Sequence, residues 1–423
     1  MTEKVNEELM ESVIKQMKED NIKFIRLQFV DINGTAKNIV IPFKEEEMED
    51  LFVEGMLFDG SSIAGFVGIN ESDLVLKPDI NTYSRLSWRP EESAVCRFIC
   101  DVWTPDGTPF AGDPRGILKK SLAKIGKMGL QYNIGPEPEF FIVDIDDEGY
   151  PMPYDEAGYF DVEPLDKGPD FSRELTLNLE ELDFEVEASH HEVGPGQNEI
   201  NYLFSDPMSI ADTFYIYKET IKETALKNKC IATFLPKPFK GLPGSGMHIN
   251  CSIWNFKKNN MFYDETNEHH FSDFGINFTN GILRHIKALT ALSATIDNSY
   301  LRLHSGLESP SGIFYSFNDR EAAIRIPSAK QSRTRIELRF VDSTAQLYLL
   351  LAGIISAGID GLEHPLRKGE ENDILPKGLL ESLKYLEEDE ILNNCFGRKI
   401  IQKYIYEKKK EKIVPFRKLV MDY

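Results

Sequence analysis

The segment TRIELRF, residues 334–340, carries Arg335, Glu337 and Arg339 at every second position. On a strand, side chains two apart share a face. These three charges then point one way, while Ile336 and Leu338 point into apolar packing. Three charges on one strand face are expensive to bury unless they are paired or bound to ions. One such strand alone reads as a solvated face with internal ion pairing, but the pattern recurs. GPEPEFF places Glu137 and Glu139 on one strand face, and SGMHINCSIW places His248, Asn250 and Ser252 on another. SHHEVGPGQNEI supplies His190, Glu192 and Glu199 around a Pro-Gly turn. Taken singly, His248 reads as a structural histidine and Glu137 or Glu139 as half of a surface ion pair. Together, carboxylates with an imidazole suit hard or borderline divalent cations, Mg²⁺ or Mn²⁺. Five carboxylates converging without a metal would repel one another.

A second group is cationic: Arg302, Arg320, Arg325, Arg335 and Arg339. Arginine holds planar carboxylates and phosphates bidentately. Metals plus arginines are what phosphoryl transfer requires, because that chemistry is mostly positioning and charge stabilisation. The competing reading is that these arginines neutralise an acidic protein. Arg302, set among apolar residues in NSYLRL, weakens it. The Gly- and Ser-rich stretch FDGSSIAGFVGINESD, 58–73, reads by itself as a loop.

The elements that must carry these groups are legible in outline. Residues 3–20 are predicted helical; 24–32 and 37–43 are predicted strands joined by an Asn33-Gly34 hairpin turn. Residues 94–103 form a further strand, and the Gly- and Pro-rich 104–116 is a domain boundary. Beyond it, helices are predicted at 114–128, 207–228, 276–295, 344–360 and 378–388. Strands are predicted at 137–145, 185–192, 198–204, 231–236, 246–254, 312–318, 322–327 and 334–340. Short connections without a βαβ rhythm indicate a largely antiparallel sheet in an α+β domain. The sequence has neither a Walker loop nor a GxGxxG following a strand, so a nucleotide would not bind through those folds. The basic run Lys408-Lys409-Lys410-Glu411-Lys412 reads as a solvated helix face.

The 423 residues exceed one ordinary core and imply two domains. The net charge of −21 repels nucleic acid and anionic membrane, so neither is an expected partner. Five cysteines without a CxxC fit reduced thiols in a cytoplasmic protein, with Cys96 and Cys100 buried in a strand. Met1–Asp20 is charged and amphipathic rather than a signal peptide. ALTALSATI and LYLLLAGIISAGI fall short of a membrane span and read as buried helix.

Read in order, FDGSSIAGFVGINESD, PFAGDPRG, GPEPEFF, EVEASHHEVGPGQNEI, FLPKPFKG, GSGMHINCS, NSYLRL and RIELRF resemble the successive signature segments of type I glutamine synthetases. The resemblance implies a small β-grasp domain, 1–104, and a catalytic domain, 105–423, with a curved antiparallel sheet flanked by helices. It implies ATP-dependent ligation of ammonia to glutamate through a γ-glutamyl phosphate. Two metal ions are implied, one held by Glu139, Glu192 and Glu199, the other by Glu137, His248 and Glu337. ATP would meet Glu187, His190, Phe204, Ser252 and Arg335, with Arg320 and Arg325 on its phosphates. Arg302 and Arg339, with the backbone of Gly244, would hold glutamate. Asp59, Ser62, Tyr159, Glu192 and Glu308 would form the ammonium pocket, with Asp59 the proton acceptor and Glu308 closing the site. Subunits would form hexameric rings, paired as a dodecamer, with Asp59 reaching a neighbour's site.

The sequence departs from the family pattern at several places. Pro243 stands where the family usually has an Asn that helps bind glutamate, and NSYLRLHSGLESP loses a Lys, a Val-Pro and a Tyr. Pro at this place occurs in relatives that ligate other amines, which makes a γ-glutamyl–amine ligase the alternative. A catalytically weak, metabolite-binding regulator is a second alternative, against which stands the retention of all six metal-ligand residues.

Overall fold

The computed structural model describes residues 7–306, 309–365, 373–410 and 416–423. Two sheets organise the chain. The first follows helix α1 (Glu7–Glu19) and contains β1 (Phe24–Val30), β2 (Ala36–Pro42), β3 (Met56–Asp59), β4 (Asp73–Pro78), β5 (Ser84–Arg85) and β6 (Val95–Trp103), with the short helix α2 (Met48–Val53) between β2 and β3. Its order is β2-β1-β6-β4-β3, with β5 also on β6. β1 and β2 form an antiparallel hairpin, and Gly34 supplies its positive φ of 84°. β1 and β6 run parallel. Met17, Ile25, Leu27, Phe98 and Cys96 fill the core between α1, α2 and this sheet.

The second sheet is built on β7 (Leu130–Ile145), with β8 (Pro151–Pro153), β9 (Val186–His191), β10 (Gln197–Tyr202), β11 (Ile231–Thr233), β12 (Met247–Asn255), β13 (Gly312–Ser316), β14 (Ala322–Arg325) and β15 (Ile336–Leu338). The order β13-β14-β15-β12-β7-β10-β9 is antiparallel except between β13 and β14. Helices α3 (Pro114–Lys127), α4 (Pro169–Glu180), α5 (Pro207–Lys227), α6 (Asp273–Ser293), α7 (Asp297–Leu303), α8 (Leu347–Glu363), α9 (Leu379–Glu388), α10 (Glu390–Phe396), α11 (Arg398–Lys409) and α12 (Phe416–Asp422) surround it. Asp113 and Asp206 cap α3 and α5 through their carboxylates, each followed by a proline at the first turn. The apolar helix α8 is buried throughout Leu347–Gly361 against α6. A Cβ on Gly281 of α6 would lie 2.2 Å from the Ala357 carbonyl, so the two backbones touch only because glycine is there. No helix among the described residues is long and apolar enough to cross a membrane.

Arg115, buried at the start of α3, joins the two units. It donates to Asp212 of α5 at 2.7 and 2.9 Å, to Asp101 of β6 at 2.6 Å and to Asp79 after β4 at 2.7 Å.

Three local readings are corrected. The predicted helices omit α4, as they do the short α2, α7, α10 and α12, although in α4 Phe171, Leu175 and Leu179, all buried, repeat every fourth residue. The arginine strand is shorter than 334–340, because only Ile336–Leu338 is laddered. Lys408 is not solvated: it is 5% exposed, on the same α11 face as Ile401, Tyr404 and Ile405, and its ammonium sits 5.9 Å from the Tyr404 ring centre. Lys409 and Lys410 are exposed, whereas Glu411 and Lys412 lie outside the described residues.

Candidate active site

Two prolines interrupt the ladder between β7 and β10. On β7 the N–H of Glu139 donates to Gly246 beside β12, and the N–H of Ile134 donates to Ser205 on the other side. Backbone donors alternate along a strand, so Pro136 and Pro138 fall where donors toward β10 would be, and they have none. The β7–β10 ladder runs from Gln197↔Phe141 to Glu199↔Glu139 and stops there. The two segments pair again at Ile134 and Ser205, which exchange backbone hydrogen bonds at 2.9 Å. A cavity of about 650 Å³ lies over this part of the sheet, lined by Glu137, Glu187, Phe204, Ser252, Trp254 and Arg335 among others.

Beside this cavity, starting from Glu137 in its lining, the carboxylates gather. Glu137, His248 and Glu337 come from three adjacent strands, paired as His248↔Glu137 and Asn250↔Glu337. Their ligand atoms lie within 4.8 Å of one another, as do those of His190, Glu192 and Glu199. Glu139 sits between the two groups, 4.0 Å from His248 Nε2. Its Oε2 accepts from Gly246 N at 2.9 Å and from Gln197 Nε2 at 3.0 Å. His190 thus stands beside Glu199 (3.4 Å) and Glu192 (3.6 Å) as directly as Glu139 does beside His248. Both sets are oxygen-rich with one imidazole, a donor set suited to Mg²⁺ or Mn²⁺.

The electrostatics show what a cation would relieve. Burial, then Glu139 and Glu199, push Glu192 up to about 7. Burial also raises Glu139, with Glu199 adding to it and His248 opposing. Glu199 is held below the usual range despite burial, because His190 and Asn201 hydrogen-bond to it. Burial raises Glu337, but His248, Arg339 and Arg325 outweigh it and leave the carboxyl below its ordinary value.

The arginines divide by location. Arg302 is buried on α7 and donates to the carbonyls of Val341 and Arg339, both at 2.9 Å. Gly244 and Gly246 press against it; a Cβ on Gly246 would lie 2.5 Å from its Nη2. Arg339 is buried, donates to Glu337, and its Nε reaches the Arg320 carbonyl at 2.9 Å. Arg325 bonds Glu337, Arg335 bonds Asn250 at 2.8 Å, and the Arg320 side chain is exposed in the β13–β14 turn. Asn250 also donates to Glu137 at 2.7 Å, so it links Arg335 to that carboxylate.

Tyr159 is half exposed, stacked on Phe160 at 4.0 Å and edge-on to His190 at 5.8 Å. Asp59 lies elsewhere, at the end of β3, where it accepts from Ser61 and from Ser62 at 2.5 Å. Within one chain it is therefore not gathered with the others. Glu308 lies outside the described residues. Sequence reasoning missed Gln197, which ties Glu139 to the Gly244 carbonyl at 3.2 Å, and Asn201, which donates to Glu199 at 2.8 Å. Both alternate with Glu199 on β10, so the strand period already placed all three on one face.

Residues 111–422 match the family profile "Glutamine synthetase, catalytic domain", and residues 21–105 match "Glutamine synthetase, beta-Grasp domain". The chain belongs to the glutamine synthetase family. As a glutamine synthetase family member it has a β-grasp N-terminal domain and an α+β catalytic domain whose curved sheet holds the clusters. It is 43% identical to a glutamine synthetase of Methanococcus voltae over 426 residues, covering 95% of each chain. It is 40% identical to one from Clostridium saccharobutylicum over 420 residues, covering 95% of this chain and 94% of that one. Among solved structures it resembles "GmaS/ADP complex-Conformation 1" with a TM-score of 0.85 and 28% identity, over 97% of this chain and 99% of that one. These matches make it a ligase-family enzyme with nucleotide and metal sites.

Proposed function

We propose that this enzyme ligates ammonia to the γ-carboxylate of glutamate, consuming ATP through a γ-glutamyl phosphate and releasing glutamine, ADP and phosphate. The observation that carries this reading is the pair of carboxylate–imidazole clusters, flanking Glu139, beside a nucleotide-sized cavity that Glu137 lines. Divalent cations, Mg²⁺ or Mn²⁺, held by Glu137, His248 and Glu337 and by Glu139, Glu192 and Glu199 with His190 beside them, would neutralise phosphate charge. Phe204, Glu187, Ser252 and Arg335 would bind the nucleotide, and Arg320 and Arg325 its phosphates. Arg302, Arg339 and the Gly244 backbone would hold glutamate.

Only neutral NH₃ is a nucleophile, so ammonium must lose a proton before attack. Asp59 would accept it, with Ser62, Tyr159, Glu192 and Glu308 completing the pocket. The place of Asp59 on an exposed β3 end supports its delivery to a second copy of the chain, as in hexameric rings paired into a dodecamer. Division of the chain at 104/105 goes with this reading, and five free cysteines support a cytoplasmic location.

A second reading, a γ-glutamyl–amine ligase, is favoured by the likeness to GmaS, a gamma-glutamylmethylamide synthetase, and by Pro243 in the glutamate loop. ATP-dependent phosphate release with glutamate plus ammonium, then with methylamine, ethanolamine or polyamines, tests both. Turnover with ammonium supports the first reading; turnover confined to an amine replaces it with the second.

A further inference from the structure

His191 lies between His190 and Glu192 in sequence but faces away from them. It is 2% exposed, and both ring nitrogens meet oxygen acceptors: Nδ1 the Glu192 carbonyl at 2.7 Å, and Nε2 the Asp155 carboxylate at 3.1 Å. Asp155, 5% exposed, holds more than the ring. Its Oδ1 accepts from Gly196 N at 2.7 Å and Ala157 N at 3.2 Å, and its Oδ2 from Lys167 N at 3.4 Å. One carboxylate therefore ties together the end of β9, the turn between Glu192 and Glu199, and both ends of the loop that carries Tyr159.

The tie has no slack. Gly196 has a φ of +70°, and a Cβ there would lie 2.6 Å from the Ile142 carbonyl, so the turn is seated directly on β7. Phe160 N donates to the His191 carbonyl at 3.2 Å, and the Phe160 ring meets His190 edge-on at 5.0 Å. Asp155, Asp166 and His191 also lie close enough together to resemble a cation group. Their ligand atoms are already engaged by the chain: Asp155 accepts from three backbone N–H groups, Asp166 accepts from Gly168 N at 2.7 Å, and His191 Nδ1 donates to a carbonyl. The arrangement has the form of the outer hydrogen bonds that orient metal ligands.

We infer that Asp155 and His191 are a positioning pair that sets Glu192 and Tyr159 relative to each other, and so shapes the side of the site that receives the acceptor amine. This rests on the proposed placement of the amine beside Glu192 and Tyr159. Neither residue touches substrate; both act through the backbone of Glu192 and the Tyr159 loop.

The test uses the full-length chain with Asp155→Ala, Asp155→Asn and Tyr159→Phe. Asn at 155 keeps an acceptor for Gly196 and Ala157, and serves if the Ala variant fails to fold. Asp155→Ala is expected to raise KM for the acceptor amine, and to weaken Mn²⁺ binding measured by calorimetry without nucleotide, each about tenfold. KM for ATP should stay within about twofold, and Asp155→Asn should recover most of both losses. A rise in KM for ATP equal to that for the amine overturns the inference. So do unchanged amine KM and Mn²⁺ affinity in both Asp155 variants while Tyr159→Phe raises the amine KM, an outcome that leaves the acceptor reading standing. If Tyr159→Phe leaves the amine KM unchanged, the acceptor reading fails instead. The Mn²⁺ affinity of the Asp155 variants then decides the pair: weakened binding sustains its hold on Glu192, and wild-type binding ends it.

Discussion

Arg325 and Glu337 are register partners across β14 and β15, and their side chains meet at 2.7 Å. Arg339 donates to the other oxygen of the same carboxylate. A residue proposed to hold metal is thus engaged by a residue proposed to hold phosphate. On the proposed assignments, loading the cleft would exchange these partners: Glu337 would turn to the cation as Arg325 turns to the nucleotide. Charge-assisted pairs of this kind compete directly with a bound ion. Replacing Arg325 with Ala should therefore raise Mn²⁺ affinity in the absence of nucleotide about fivefold, while raising KM for ATP about tenfold. Calorimetry on the nucleotide-free protein and steady-state kinetics measure the two effects, and a fall in both affinities would remove the exchange.

The same contact changes what is expected at Glu337. It is 4% exposed, and Arg339, its partner, is 5% exposed. Truncation to Ala leaves a buried guanidinium without its carboxylate, which costs about 3–5 kcal/mol of stability. Glu337→Ala should then both melt earlier and lose metal. Glu337→Gln retains an acceptor for the arginines, so it should melt close to wild type and still lose Mn²⁺ binding and activity. Thermal unfolding alongside calorimetry separates the variants; full activity of Glu337→Gln with Mg²⁺ would show that the carboxylate holds no metal.

Glu192 gives a pH dependence with a definite sign. Burial, with Glu139 and Glu199, raises its pKa from 4.5 to about 7 in the folded protein. Between these values the native state binds the proton and the unfolded state does not. Its contribution to stability therefore declines as pH rises through that window. Without metal, Glu192→Gln should be more stable than wild type at pH 8, by on the order of a few kcal/mol, and should lose that advantage near pH 5. Adding Mn²⁺ should stabilise wild type at pH 8 and release protons at pH 6, where Glu192 is still largely protonated, with a much smaller effect on the variant. Melting curves at pH 5 and pH 8, with chelator and with Mn²⁺, measure both.

Gly244 should not tolerate a methyl group. A Cβ there would lie 2.5 Å from the Pro236 carbonyl and 2.8 Å from Arg302 Cγ. The backbone carbonyl cannot yield cheaply, so Arg302 must move. Gly244→Ala should raise KM for glutamate about tenfold or more, through misplacement of one binding group. KM for ATP, whose proposed partners Phe204, Ser252 and Arg335 do not include Gly244 or Arg302, should change little. Initial-rate kinetics varying each substrate in turn checks this.

The local periods in the sequence determined which side chains share a face. Arg335 and Arg339 flank Glu337 at two-residue spacing at the ends of the short strand β15, His248, Asn250 and Ser252 alternate along β12, and the two-residue period holds wherever a strand forms. The burial of α8 and the β1–β2 hairpin were likewise legible, because apolar content and an Asn-Gly turn are short-range signals. Only the tertiary structure decided which faces meet. The order β14-β15-β12-β7-β10-β9 is far from chain order, so it sets beside each other residues a hundred or more positions apart, such as Glu137 and His248. It also put His190 beside Glu192 and Glu199, paired Glu337 with Arg325, and turned His191 toward Asp155. Lys408 shows the converse: a basic run looks solvated until the packing of one helix face buries one of its members. Periodicity is a property of the backbone over a few residues, whereas the pairing of charges depends on the distance between strands, and the folded chain alone sets that distance.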